Sequence, residues 1–292
     1  MNKEFNKGLL LTSFGSFWWG FIGVIYFEYV SFIGHVELVV HRCLWTAVML
    51  ILTTTFFVKW KIFLKAISNK KNLIALFISG FLIFINWAVW IYAVATNRII
   101  DASFGYFIMP IISVLLGYIF FKENLNKKRI FSIFLVLISI LILIFFNLKS
   151  LPWVGLIVAF SWAFYNLVRK KIYIDTDIGL LVESLYIFPF ALIVFYFITK
   201  NGLNDFNLKD PGLSLLLILA GPMTVIPLFL YVRGVELIGL GPTGMIFYIT
   251  PTLQFILGYF YYEESFSLVK FISFIIIWIA VFIYLKDLYE TN

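Results

Sequence analysis

Two ionisable side chains, Arg42 and Glu183, lie well inside long apolar runs of this 292-residue chain. A cation within a membrane helix costs roughly 2.5–3.5 kcal/mol or more, so such residues face cavities, partners or the interface. Arg42 therefore has two readings: attraction of an anionic solute group, or snorkelling to the outer surface along its own stem. Glu183 either pairs with a cation or takes up a proton. Histidine is the side chain that titrates near neutral pH, and His41 either uses that property or packs as a neutral ring. Asn86, Asn166 and Gln254 are amides deep in apolar sequence. They need partners from another helix, from water or from a solute. Trp18, Trp90 and Trp162, with Tyr106, Tyr165, Tyr231 and Tyr248, offer rings that either stack on a planar or amphipathic solute or pack against one another. Asp101 follows Arg98 by three residues and Glu236 follows Arg233 by three. Both read as ion pairs at helix ends.

Other chemistries lack their residues. Cys43 is the single cysteine, which excludes an intrachain disulfide and a thiolate zinc site. The two histidines, His35 and His41, have no H-E-x-x-H setting, and there is no G-x-S-x-G elbow. No phosphate-binding G-x-x-x-x-G-K-[ST] loop occurs either. The expectation is a chain with no metal and no cofactor that is not an enzyme. A channel or scaffold is the main alternative, and an intramembrane enzyme a more distant one.

The elements that hold these residues are set by composition. The chain is 63% hydrophobic and 13% charged, whereas soluble domains are about 45–50% apolar and about 25% charged. Its solvent must be largely lipid, and its +7 net charge reads as a topology signal rather than a nucleic-acid footprint. Polar breaks leave ten apolar runs, near 8–32, 35–58, 72–96, 98–121, 128–147, 151–168, 177–199, 213–235, 238–262 and 267–286. Each is long enough to span as a helix, which satisfies its own backbone in hydrocarbon. The first run is too long for a signal peptide and lacks a cleavage site, so it reads as a retained span. Alternate loops hold sixteen and five Lys/Arg, which places both termini in the cytoplasm. Spans 5 and 10 carry almost no interior polar residue and are expected at the periphery.

A repeat links the two halves. PIISVLLGYIFFKE from Pro110 recurs as PTLQFILGYFYYEE from Pro251, an offset of 141 residues. Leu76 and Leu217, Gly80 and Gly221, Ser132 and Ser273 align at the same offset. Trp18 and Trp162 match three residues out of register, and Glu183 matches His41 one residue out of register. Five spans per unit is odd, so the second copy enters from the opposite side. Residues 1–147 and 148–292 are then two inverted five-helix units, the trace of carriers that bind solute between repeats and rock one against the other. Pro110 and Pro251 each free a carbonyl four residues back, on Tyr106 and Phe247. That is tolerable only beside protein or a water-filled cavity. A mid-depth cavity lined by both prolines, Arg42 and the deep aromatics is expected, with energy from a proton or solute gradient or from facilitated diffusion.

Several stretches together resemble one known group. They are His41-Arg42, Asn86-Trp87, ASFGYFIMP (102–110), FSWAFYNLVRKK (160–171), Glu183, GPMTVIP (221–227) and YITPT (248–252). The pattern is similar to the RarD-type permeases of the EamA family, in the drug/metabolite transporter superfamily. The family pattern has Glu where Asp101 stands, which keeps the charge, and Asn where Met109 stands, which removes a hydrogen-bonding group. The resemblance implies an all-α integral protein of the bacterial inner membrane, a multi-pass permease for small metabolites or drug-like solutes. Its partners would be the lipid bilayer and a small-molecule substrate; a coupling proton is one option, read from Glu183, and no nucleic acid is expected from the charge pattern.

Overall fold

In lipid each backbone amide must find its partner within its own segment, so apolar runs become helices. The computed structural model describes residues 3–95, 99–147, 153–207, 209–261 and 268–291. Among these residues there are helices and connections but no strand. The first span is α1 (Lys3–Phe17), a π turn (Trp18–Ile22) and α2 (Gly23–Tyr29). Next come α3 (His35–Phe56), the short α4 (Trp60–Ser68) and α5 (Lys70–Ala95). The first half closes with α6 (Ile99–Phe121) and α7 (Lys127–Asn147). The second half runs α8 (Trp153–Lys171), α9 (Thr176–Lys200), α10 (Pro211–Ile238), α11 (Leu240–Ile246), α12 (Ile249–Phe260) and α13 (Leu268–Thr291).

Among the described residues seven helices are long and apolar enough to cross a membrane, counting α1 through α2 as one. Residues Gly105–Phe121 of α6 form a shorter apolar helix. With α8 and the broken α11–α12 pair, each expected span holds helical structure among its described residues.

Packing follows a swapped pattern. Helix α1 packs on α10, as α8 packs on α5; α3 also packs on α10, as α9 does on α5. Of the other close pairs, α3 with α9, α6 with α11 and α7 with α13 join equivalent positions of the two halves, while α6 also packs closely on α8. Close approach fixes the register. A Cβ on Gly80 would stand 3.2 Å from the Glu183 carbonyl, while one on Gly221 would meet the Trp45 carbonyl at 2.5 Å. Glu183 thus corresponds in packing to Trp45, about a turn from the His41 that sequence alignment matched with it.

The two mid-span prolines act differently. Helix α6 runs unbroken through Pro110. Before Pro251 the helix ends at Ile246 and restarts at Ile249, and the freed Phe247 carbonyl accepts from the Thr250 amide at 2.9 Å. Helices α7 and α13 share an apolar cluster with residues of α6 and of the broken α11–α12 span, and a few polar contacts join the two helices. Arg129 and Asp287 make a buried ion pair at 2.9 Å, and Ser139 donates to the Ser273 carbonyl at 2.9 Å. Arg129 had read as a loop cation, because the acid that buries it lies 158 residues away.

Candidate solute-binding site

Helices from both halves leave a cavity whose volume, counted as space for the centres of water-sized spheres, is about 50 Å³. Its walls are Trp19 and Phe27 from the first span, Asn86, Trp87 and Trp90 from α5, Tyr106 from α6, and Trp162 from α8. Phe247, Thr250 and Gln254 complete it from the broken span.

Arg42 supplies its cation. The side chain is buried, and its Nε donates to Thr224 Oγ1 at 3.0 Å. That hydroxyl spends its own proton on the Ala220 carbonyl at 2.8 Å. The guanidinium carbon lies 4.9 Å from the Phe27 ring centroid and 4.7 Å from that of Trp87. Aromatic faces attract a cation by about 0.5–2 kcal/mol each, which offsets part of its desolvation. Among the described residues no carboxylate forms an ion pair with Arg42. A buried, aromatic-caged guanidinium without an acid is a ready anion site.

Around the cavity the rings pack against one another. Trp19 meets Trp162 edge-on at 5.0 Å and Tyr231 at 5.8 Å. Phe247 stands 5.5 Å from Tyr231 and 5.7 Å from Tyr106. Asn86 donates to the Val158 carbonyl at 3.0 Å and to Ser161 Oγ at 3.1 Å, tying α5 to α8.

A smaller cavity of about 10 Å³ shares the Trp87 wall and reaches Thr46, Glu183 and Ser184. That volume suits about one water. Glu183 is held entirely by donors: Ser79 Oγ, Tyr165 hydroxyl at 3.2 Å, and Arg169 Nη1 at 3.6 Å. Arg169 also approaches Glu236 at 4.0 Å and donates to the Thr176 carbonyl at 3.1 Å. It fits because position 179 is glycine; any Cβ there would collide with the guanidinium. Nearby, Glu123 accepts from the Leu240 and Gly241 amides at 2.8 Å each and lies 3.7 Å from Lys170 Nζ. Gly239, with φ of 96°, supplies the left-handed turn that presents those amides.

Of the residues expected at the site, Arg42, Asn86, Trp90, Tyr106, Trp162 and Gln254 line the larger cavity. Trp18 does not; its neighbour Trp19 does. The bond from the Gly23 amide to the Trp18 carbonyl spans five residues, a π turn that shifts the inward face. Pro110 and Pro251 are buried and do not line this cavity. Pro251 acts one turn back by placing Phe247. His41 is a packing group, 3.3 Å from Glu37 and accepting from Trp45 Nε1 at 3.1 Å. Tyr165 belongs to the Glu183 cluster, Tyr231 to the ring stack, and Tyr248 donates to the Phe107 carbonyl at 2.8 Å. The expected Arg233–Glu236 pair forms at 2.7 Å. The Asp101 and Arg98 side chains lie outside the described residues. Trp19, Glu123 and Arg169 were not among the expected site residues, although Glu123 lies in the repeated segment from Pro110 and Arg169 in the stretch 160–171.

A helical membrane protein with a caged cation between its halves defines a solute-handling class. Comparison with known proteins makes it specific. The family model of the EamA-like transporter family matches residues 6–145 and again 150–286. The chain belongs to that family and is a multi-pass membrane transporter of the bacterial inner membrane, with the bilayer and a small molecule as partners. It is similar to Protein RarD of Escherichia coli (strain K12), 32% identical over 290 residues, covering 99% of this chain and 97% of that protein. It is also similar to the uncharacterized transporter YojE of Bacillus subtilis (strain 168), 33% identical over 286 residues, covering 97% and 95% respectively. A solved crystal structure with 12% identity shares the fold, with a TM-score of 0.69 over 94% of this chain and 96% of that one.

Proposed function

We propose that this chain is a secondary carrier, not an enzyme, that binds a small amphipathic solute bearing an anionic group at Arg42. One observation carries the reading: a buried guanidinium with no acidic partner among the described residues, open to an aromatic-walled cavity. An anion there gains a charge-assisted bond, and an apolar body gains ring contact. The two units, 1–147 and 148–292, are inverted copies that rock about this cavity, with both termini cytoplasmic. The swapped packing of equivalent helices supports the exchange. The ring stack and the clusters at Glu183 and Glu123 then form the inner closure, which favours a carrier over a continuous pore.

Coupling is proposed at Glu183. A proton on its carboxylate weakens its hold on Arg169, and that helps the inner side open. The test is counterflow in proteoliposomes with a panel of small carboxylates and their neutral amides or esters. Wild type should show saturable exchange of an acid but not its ester, and Arg42→Gln should lose that preference. Cysteines introduced at Asn201 and at Lys65 should label from outside and inside respectively. Ester exchange equal to acid exchange would sink the anion assignment.

A further inference from the structure

Between Lys59 and Lys71 the chain carries five lysines and no acid. Helix α4 occupies most of this stretch and packs on α5 and α9. Phe63, Ala66 and Ile67 fall on one face at helical spacing, and that face is turned inward: Ala66 is buried, and Phe63 and Ile67 join the apolar cluster of Leu76, Ile172 and Val182. By the same spacing Lys61, Lys65 and Ser68 share the opposite face, and all three are exposed. On the flank between them Trp60 and Leu64 are exposed, as are Phe57 and Val58 just before the helix.

Two observations single out this surface. Val58 holds φ of 55°, a region a β-branched residue rarely occupies. It sits where a glycine usually ends a helix: the Lys59 amide reaches back to the Thr54 carbonyl at 2.9 Å and the Val58 amide to that of Thr55 at 3.1 Å. A strained backbone thus presents an apolar side chain that is 81% exposed, beside Phe56, also 81% exposed. The second observation is charge. Among the described residues only Lys59 of the five forms an ion pair, 2.6 Å from Asp177. Lys61, Lys65, Lys70 and Lys71 face outward without an acid.

We infer that α4 lies in the plane of the cytoplasmic leaflet and forms a binding site for anionic phospholipid headgroups. Trp60 and Leu64 enter the acyl boundary, while Lys61, Lys65, Lys70 and Lys71 take the phosphates. An amphipathic helix with a basic polar face and an aromatic on its apolar side has the chemistry for this position. The lysines give it preference for anionic over zwitterionic lipid. The inference does not depend on which solute is carried.

Native mass spectrometry of the full chain in detergent, doped with phosphatidylglycerol or phosphatidylcholine, tests it. Wild type should retain phosphatidylglycerol at least about fivefold better. Neutralising Lys61, Lys65, Lys70 and Lys71 to Gln should abolish that preference while phosphatidylcholine adducts persist. The matching four Lys→Arg changes should restore it. Equal retention of both lipids by wild type, a preference that survives neutralisation, or failure of arginine to restore it would overturn the site.

Discussion

The Trp87 ring lies 4.7 Å from the Arg42 guanidinium carbon on one side and walls the smaller cavity that reaches Glu183 on the other. One indole therefore lines both the cavity that holds the caged cation and the one that reaches the buried ion cluster. Its position makes it both a contact for the cation and a shared wall.

Trp87 is nearly fully buried, and Trp87→Ala should cost about 3–5 kcal/mol of stability. Partial collapse would reduce the figure. The change also joins the two cavities, so vesicles carrying it should show solute leak without counterflow. Trp87→Phe should keep exchange with a modest fall in melting temperature. Thermal unfolding and exchange assays read both effects.

Arg42 is expected to trade stability for function. Replacing a buried, acid-free cation by an apolar residue of similar length removes its desolvation cost. Arg42→Met should therefore raise the melting temperature by a few degrees while abolishing anion exchange. Arg42→Lys should recover little activity, since an ammonium lacks the flat face that stacks on Trp87 and Phe27. A fully active lysine variant would show that charge alone suffices.

Glu183→Gln leaves Arg169 buried beside a neutral amide, which should cost about 3–5 kcal/mol. Adding Arg169→Gln should return part of that loss, a coupling a double-mutant cycle measures. If the carboxylate is the coupling group, the single variant's uptake should also become flat with external pH. A profile as steep as wild type's would remove that role while leaving the structural one.

Glu123 clasps two amides across the halves, and charged hydrogen bonds of this kind are worth about 1.5–3 kcal/mol. Glu123→Gln should weaken the inner closure and raise the reactivity of a cysteine placed at Thr243 toward a thiol reagent added from the cytoplasmic side. Gly239→Ala should mimic it, because alanine resists the φ of 96° and its Cβ would collide with the Glu123 carboxylate. Unchanged labelling in both variants would show that the clasp does not gate access.

Much of this was written in residue type. Apolar length fixed the helices, because lipid offers the backbone no other partner. The depth of Arg42 and the amides and rings at Asn86, Trp90, Tyr106, Trp162 and Gln254 marked the cavity wall, since polar and aromatic groups at that depth need a reason. Other features depended on three dimensions. A π turn exchanged Trp18 for Trp19, and helical spacing carries no sign of such a turn. Arg129 read as a loop cation until an acid 158 residues away was seen beside it, and Arg169 until acids of α9 and α10 were. The role of Pro251 passed to Phe247 because a proline acts through the carbonyl one turn earlier. Sequence determines which groups must leave water; only the packed structure decides which of them meet, because partners more than a hundred residues apart are chosen by helix register.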